Sequence, residues 1–161
     1  MKKYFNYSLR QYADAISLRT PVPGGGSAAA LTGCLGAALI SMVAQYSQGK
    51  SPSPVTEKKI KRLLAKNERI RRRLLELVDE DAQAYLQVTK ARRGKKSSLK
   101  SALAQARKVP LEVCQLCYSA LQLTPFLVKN GNQNLMSDIQ VAINLLLAAF
   151  QSSLIHVQIN Q

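Results

Sequence analysis

A bundle of α-helices, arranged antiparallel around one long central helix, is the fold that this sequence predicts for a single domain of residues 1–161. Hydrophobic residues make up 47% of the chain, yet it contains no Trp and only three Phe. Its core must therefore consist of Leu, Ile, Val and Ala, which suits packing between helices. In the longest predicted helix the apolar residues recur at three- and four-residue steps, the spacing of one helix face.

The first two predicted helices flank a turn that is rich in Pro and Gly. Ser8 is a suitable N-cap for a short first helix. The prolines and glycines of residues 20–26 exclude helix, and Ser27 is predicted to cap a second helix that ends near Gly49. Within it, residues 28–44 lie at the lower limit for crossing a bilayer. Their small side chains instead suit close contact between helices, inside the bundle or across a dimer interface.

The longest helix is predicted to begin after the cap residue Thr56 and to end at about Arg93. One buried stripe is expected, formed by Ile60, Leu63, Ile70, Leu74, Leu77, Val78, Ala84, Tyr85 and Val88. At ~100° per residue, Asp81 falls within about 60° of every one of them. Asp79 and Glu80 lie about 160° and 100° from the stripe, so they are expected to be solvated.

The second half of the chain predicts further helices. A basic turn over residues 94–98 precedes a helical stretch that Pro110 must break or restart. A single helix is then predicted for residues 111–129, with Gly131 as a left-handed C-terminal stop. The last helix is predicted for residues 138–159, with Ser137 and Asp138 as a capping pair.

The net charge of +14 is concentrated in the middle of the chain, where residues 58–108 contain 17 basic and five acidic residues. Such a stretch can bind nucleic acid, an anionic membrane or a polyanionic small molecule, and a long solvated helix can carry the same charges without a partner. The charge alone leaves these alternatives open.

The termini and cysteines indicate the compartment. Residues 1–10 lack the apolar segment of a secretory signal, so we expect a cytoplasmic protein that is not inserted in a membrane. An odd number of cysteines, three, argues against a disulfide framework. Cys114 and Cys117 lie in an apolar helical run, and we expect buried thiols.

Asp81 is the residue that the helical pattern selects for chemistry. A carboxylate on a core-facing stripe is costly unless it is paired, hydrogen-bonded or neutral. One interpretation is a salt bridge to another helix, and the other is a carboxyl with a raised pKa that transfers protons near neutral pH. The single histidine, His156, has no partner that the sequence suggests, and no metal-ligand cluster is recognisable, so no metal site is expected.

The stretch Pro-Gly-Gly-Gly-Ser before the second helix has the character of an anion site at a helix start. It lacks the Lys-[Ser/Thr] ending of a phosphate-binding P-loop and follows a helix rather than a strand. A turn needs one glycine at most. Three glycines therefore indicate that another group approaches the backbone closely.

Four segments in the same order resemble a known family, the cyclodeaminase domain of formimidoyltransferase-cyclodeaminase and the bacterial methenyltetrahydrofolate cyclohydrolases. They are residues 20–27 with the Ala-rich helix to Val43, residues 78–85, residues 109–112, and residues 131–142 with a final helix that ends at 157–160. The resemblance implies an all-α, dimer-forming bundle that binds a tetrahydrofolate derivative, often polyglutamylated. It implies no metal and no cofactor besides the folate.

The same resemblance assigns roles to residues. The acidic motif falls on Asp79 and Asp81, with Asp81 as the catalytic acid or base. Asn134 and Asp138 are implied near the ring system, while Lys50 and the basic middle helix are implied to meet glutamate carboxylates. The pterin or benzoyl group is implied to contact Gly24, Gly25, Gly26 and Ser27. An inactive folate-binding or dimerising homologue and a basic helical nucleic-acid binder remain alternative interpretations.

Overall fold

The structure is a computed structural model that describes residues 3–50, 53–93 and 96–160, with side chains from residue 98 onward in the last range. This part of the chain forms helices and no β-strand, which confirms the predicted all-α fold. The 3₁₀ helices are Tyr4–Asn6 and Gln133–Leu135. The α-helices are α1 (Leu9–Ser17), α2 (Gly25–Ser47), α3 (Pro54–Ala91), α4 (Lys96–Ala106), α5 (Lys108–Leu121), α6 (Thr124–Asn130) and α7 (Met136–Ile159).

Helix α2 lies between α3 and α7 and is buried along most of its length. Its small residues allow the neighbouring helices to approach closely. A Cβ atom at Gly33 would lie 2.9 Å from Sγ of Cys117 in α5, and one at Gly36 would lie 2.8 Å from Cγ of Leu146 in α7. The predicted close contact inside the bundle is confirmed. Large side chains that are fully buried around α2 include Ile40, Ile60, Leu74, Leu77, Leu127, Ile139 and Leu146.

Helices α3 and α7 both run antiparallel to α2. At one end of the bundle, Gly25 contacts His156 in the last turn of α7, and Asp81 of α3 lies against the first turn of α2. At the other end, the hydroxyl oxygen of Ser47 accepts a hydrogen bond from the backbone N–H of Asn132, at 2.8 Å. The start of α2, the second half of α3 and the end of α7 therefore meet at one end.

The start of α1 follows the prediction, whereas the starts of α2, α3 and α7 differ from it. Helix α7 begins at Met136, so the predicted capping pair, Ser137 and Asp138, lies inside the helix. Ser8 caps α1 through a capping box, as predicted. The cap of α3 is Ser53 rather than Thr56, because a proline occupies the first position of the helix and makes the residue before it the cap. Ser27 is likewise not a cap. Helix α2 begins three residues earlier, after its cap Gly24, because Gly25 and Gly26 adopt helical backbone geometry.

The region around Pro110 breaks as predicted, because α4 ends just before Arg107 and α5 begins just after it. The single helix predicted after Pro110 is wrong. It consists of α5 and α6, and Pro125 lies in the first turn of α6, where a proline is tolerated. Gly131 has a φ of −84°, so the predicted left-handed stop is also wrong. A side chain is excluded there because the carbonyl oxygen of Leu127 lies 2.5 Å from the position of a Cβ atom.

The three cysteines are free and buried, which confirms the predicted thiols. Burial raises the pKa of Cys117 to about 12, so it is neutral in the core. The Sγ atom of Cys114 lies 3.5 Å from the backbone oxygen of Phe150 in α7. These thiols contribute to packing between α5 and its neighbours.

Three stretches of the described chain are long and apolar enough to cross a membrane by length and composition, namely Gly25–Ser47, Ser98–Asn130 and Gln133–Ile159. Most of the first is buried inside the protein, and the second consists of three separate helices. The third contains α7, whose outer face exposes Val141, Leu147, Leu154, Ile155 and Ile159. The core accounts for the apolar character of α2, whereas α7 leaves an apolar surface uncovered.

Candidate active site

The first turn of α2 and the second half of α3 meet at Asp81. The backbone N–H of Ser27 donates a hydrogen bond to the Asp81 carboxylate. A Cβ atom at Gly26 would lie 2.6 Å from Cγ of Asp81 and still closer to Oδ1. No residue with a side chain fits at this position without displacing the carboxyl group. The predicted close approach of another group to the glycine backbone is therefore confirmed at Gly26.

The pKa of the Asp81 carboxyl is raised above its usual range, chiefly because the group is buried. The electrostatic influence of His156 and the hydrogen bond from Ser27 both act in the opposite direction. Among the described residues, no Lys or Arg side chain lies within ion-pair distance of Asp81. The expected pKa shift is thus confirmed, and the alternative of a salt bridge finds no support in that part of the chain.

The start of α2 explains how a desolvated carboxylate is tolerated at this position. The first N–H groups of a helix have no partners inside the helix and carry partial positive charge. Asp81 comes from another helix and uses one of these groups, that of Ser27. Ionised Asp81 is therefore stabilised at a position where water is largely excluded.

His156 lies beside Asp81 at the same end of the bundle. Its Nε2 atom would be 3.0 Å from a Cβ atom at Gly25, and it acts electrostatically on the Asp81 carboxyl. The sequence suggests no partner for this histidine, and the fold places Asp81 beside it. Only the antiparallel pairing of α2 with α7 brings it to the glycines, and that pairing is not visible in local sequence patterns.

A cavity of about 340 Å³ opens beside these groups, a volume typical of small-molecule sites. Its polar side chains are Asp81, Tyr85, Arg92, His156 and Asn160. The remaining lining residues are Pro21, Val22, Gly24, Gly25, Gly26, Ala84, Val88, Ala106 and Ile159. A desolvated carboxyl, an imidazole and exposed glycine backbone in one cavity can bind a small molecule and transfer protons to and from it.

A larger depression, of about 830 Å³, lies between the N-terminal residues and α1. It is more open, and its charged residues Lys3 and Asp14 are exposed to solvent. Exposed charges of this kind have no desolvated environment that would tune them for catalysis. The cavity at Asp81 is therefore the candidate active site.

Comparison with known proteins places the chain in a family. The family model described as formiminotransferase-cyclodeaminase matches residues 8–161. The chain belongs to this family. The resemblance that the four sequence segments indicate is therefore confirmed.

The relatives of this formiminotransferase-cyclodeaminase family member include enzymes of two names. The methenyltetrahydrofolate cyclohydrolase of Methylorubrum extorquens is 32% identical over 96% of this chain and 79% of its own length. The formimidoyltransferase-cyclodeaminase of Rattus norvegicus is 31% identical over 95% of this chain but 30% of its own length. The crystal structure of formiminotetrahydrofolate cyclodeaminase from Thermotoga maritima superposes with a TM-score of 0.93 at 32% identity, covering 96% of this chain and 78% of that one.

The two aspartates of the acidic motif have different surroundings in this family member. Asp79 is 4% exposed. Its carboxylate accepts hydrogen bonds from the backbone N–H groups of Tyr4, at 2.6 Å, and Phe5, at 3.4 Å. The prediction of a solvated Asp79 is wrong because the N-terminal 3₁₀ helix covers this side of α3. Asp79 is not among the residues that line the cavity, and its carboxylate holds the N-terminal segment in place.

Ser27 links the site to α1. Its side chain is fully buried and its Oγ atom lies 2.9 Å from the hydroxyl of Tyr12. Burial raises the pKa of Tyr12, so this hydroxyl stays protonated. The backbone of Ser27 therefore faces Asp81 while its side chain faces α1, and Ser27 positions the start of α2.

Three predicted site residues lie at the other end of the bundle. Lys50 follows the C-terminus of α2, Asn134 lies in the 3₁₀ helix before α7, and Asp138 lies in the first turn of α7 without capping it. The 23 residues of α2 separate the two ends, a distance of about 35 Å at 1.5 Å per residue. Within one chain the structure does not bring these residues together with Asp81.

Proposed function

We propose that this protein is an enzyme of one-carbon folate metabolism that acts on a tetrahydrofolate derivative, either as a cyclodeaminase or as a methenyltetrahydrofolate cyclohydrolase. The observation that carries the proposal is the Asp81 carboxyl, which is desolvated and lies against glycine backbone inside a cavity. Relatives named for these two activities match almost the whole chain. The chemistry needs no metal and no cofactor besides the folate, and we expect the protein in the cytoplasm.

Both reactions pass through a tetrahedral carbon between N5 and N10 of the folate. In the cyclodeaminase reaction N10 attacks the carbon of the protonated formimino group, whose nitrogen leaves as ammonia with the proton that N10 loses, and the cationic methenyl bridge closes. In the cyclohydrolase reaction water attacks that bridge, the bond from carbon to N5 breaks, and one proton is released. Asp81 accepts the proton of the attacking group in either case. A carboxyl whose pKa is shifted toward neutrality is suited to this role, which contributes about 10²–10⁴-fold to a rate.

The cavity and its surroundings suit the two halves of a folate. The backbone of Gly24, Gly25 and Gly26 would contact the flat ring system inside the cavity, whereas Ser27 is buried behind it. A second depression, of about 540 Å³, lies between α3 and α4 and shares two lining alanines with the cavity. Arg92 lines the cavity and Lys90 lines the depression. Their charges favour the glutamate carboxylates of a folate, including a polyglutamate tail.

We infer a homodimer from the residues that one chain leaves unused. The apolar outer face of α7 is exposed, which is typical of a protein contact surface. Lys50, Asn134 and Asp138 would reach a bound folate only from a second copy whose α2 runs in the opposite direction. Size-exclusion chromatography with light scattering tests this. Ile155→Lys is expected to give a monomer, whereas the control Leu9→Lys on exposed α1 is not, and a monomeric wild type contradicts the inference.

The test of the proposed function is the absorbance of the conjugated methenyl bridge, followed with wild type and Asp81→Asn. The amide keeps the shape of the carboxyl but cannot transfer its proton, so the rate should fall by about 10²–10⁴-fold. Asp14→Asn, which changes an exposed acid on α1, is the matched control. Formimino-folate is tested in the same way by appearance of the band. A wild type that turns over neither substrate contradicts the proposal. The alternative is then an inactive folate-binding or dimerising homologue, and calorimetry with tetrahydrofolate tests whether it binds folate.

A second candidate function, nucleic-acid binding, rests on the basic outer face of α3. Its exposed residues Lys58, Lys61, Arg62, Lys66, Arg69 and Arg72 lie within an arc of about 140°. If nucleic acid is the partner, fluorescence anisotropy with unrelated DNA and RNA duplexes will show affinity that falls steeply with salt, with a log–log slope of about −0.9 per DNA phosphate neutralised. Absence of binding at low salt rejects this candidate.

A further inference from the structure

We propose, on the basis of the folate function above, that His156 is a second catalytic acid–base group, which protonates the departing nitrogen while Asp81 deprotonates the attacking group. The two side chains lie against consecutive glycines of the first turn of α2. His156 Nε2 would be 3.0 Å from a Cβ atom at Gly25, and Asp81 Cγ would be 2.6 Å from one at Gly26. Both line the same cavity. One bound molecule can therefore contact both groups.

The two helix ends favour opposite charges on these groups. Asp81 receives the N–H of Ser27 at the N-terminus of α2, the end that stabilises an anion. His156 lies in the last turn of α7, and a helix C-terminus stabilises a cation. Each group therefore lies at the helix end whose dipole suits its role, Asp81 as proton acceptor and His156 as proton donor.

The other groups that face His156 come from several elements. Asp81 and Tyr85 of α3 line the cavity with His156, and so does Arg92, which caps the end of α3. The lining residues contributed by the segment before α2, by α2 and by α4 are uncharged, namely Pro21, Val22, Gly24, Gly25, Gly26 and Ala106. Asp81 is therefore the one carboxylate among the described lining residues that shares the cavity with His156.

In both reactions, each proton that Asp81 or His156 gains or loses is accounted for. In cyclodeamination the formimino group reacts as its cation, and attack by N10 converts its nitrogen to an amino group. Asp81 takes the proton of N10, and His156 gives one to the amino group, which leaves as ammonia. A proton transfer from Asp81 to His156 then restores both groups. In hydrolysis Asp81 takes one proton of the attacking water, and His156 protonates N5 as its bond to carbon breaks. The carbinol oxygen returns a proton to His156, and the proton on Asp81 passes to solvent.

The test compares His156→Gln with Gln158→Ala, an exposed residue in the same turn of α7. The rate with the methenyl substrate is measured from the loss of its absorbance band, and the rate with the formimino substrate from the appearance of that band. Both rates are measured at pH values on both sides of neutrality. For His156→Gln we expect kcat to fall by about 10²–10⁴-fold. If His156 is the acid, the pH profile of the wild-type rate should contain an alkaline decline that is absent in the variant. His156→Ala should regain activity with added imidazole, in proportion to its protonated form, which a structural role would not produce.

The outcomes separate this inference from the proposed function. A wild type that turns over neither substrate overturns the function and the inference together. An active wild type with His156→Gln within threefold of Gln158→Ala, and with the alkaline decline retained, overturns the inference alone. Circular dichroism checks that each variant is folded. If the Gln variant does not fold, His156→Asn replaces it, and a folded variant with full activity counts against the inference in the same way.

Discussion

Gly26→Ala is expected to impair catalysis far more than folding. The added Cβ atom would lie 2.6 Å from Cγ of Asp81, whereas ordinary contacts begin at 3.4 Å, so the carboxyl must retreat by most of an ångström. Asp81 would also lose its alignment with the N–H of Ser27, which belongs to the same turn. A displacement of about 1 Å costs on the order of 10²-fold in rate, which corresponds to about 2.7 kcal/mol in the activation barrier.

The effect on stability is smaller because two contributions oppose each other. Alanine favours a helix over glycine by about 1 kcal/mol, and overpacking costs about 1–3 kcal/mol. The free energy of unfolding should therefore fall by about 2 kcal/mol at most. The variant remains folded at the assay temperature, and its loss of rate reports the position of Asp81.

Gly33→Ala is the matched control for this variant. It adds a Cβ atom to the same helix, seven residues further on, where the atom would lie 2.9 Å from Sγ of Cys117 and outside the cavity. The assay is kcat/KM on methenyl-folate, together with thermal unfolding of both variants. Equal rates for Gly26→Ala and Gly33→Ala would show that the reaction does not depend on the packing of Asp81 against α2, and the reasoning would be refuted.

Three further predictions concern stability. Asp79→Ala removes the acceptor of two N-terminal N–H groups, and urea titration should give a free energy of unfolding about 1–3 kcal/mol lower; an unchanged value contradicts the role of Asp79. Gly36→Ala places a Cβ atom 3.0 Å from the backbone oxygen of Ala142; thermal unfolding should reveal about 1–3 kcal/mol of destabilisation, and an unchanged midpoint contradicts it. The pKa of Glu68 is lowered from 4.5 to about 2, chiefly by a hydrogen bond from Arg71. Because the folded value is the lower one, this stabilisation is complete above pH 4.5 and is lost as the pH falls toward 2. Glu68→Gln should flatten the acid side of the stability curve, and parallel curves for variant and wild type would contradict this.

Local patterns predict the helices because each helix has a buried face with its own period. The stripe of α3 was enough to select Asp81, since a residue at the right angle on a long amphipathic helix must face the core or a cavity within it. The glycines before α2 likewise predicted a close approach, which occurs at Gly25 and Gly26 but not at Gly24. Such predictions succeed where backbone geometry and side-chain period determine the outcome within a few residues.

The predictions that failed depended on segments far apart in the chain. The angle of Asp79 on α3 correctly put it off the main stripe, but the 3₁₀ helix of Tyr4–Asn6 covers that side from 75 residues away. His156 joins the site only because α7 runs back along α2. Helical periodicity defines which residues share a face. It does not say which distant segment covers that face, which is why it predicts neither the burial of Asp79 nor the position of His156 beside Asp81.

The segment from Gly131 to Asp138 marks the limit of assigning a site from resemblance. In one chain it serves the fold, because the N–H of Asn132 bonds to Ser47 and Gly131 leaves room for a carbonyl oxygen. A straight α2 of 23 residues keeps it about 35 Å from Asp81. Asn134→Ala therefore distinguishes the two roles. If it raises KM in the wild-type background but not in the Ile155→Lys background, where the copies are separated, the segment belongs to a site shared between two copies. If it changes only the free energy of unfolding, the segment serves the fold alone.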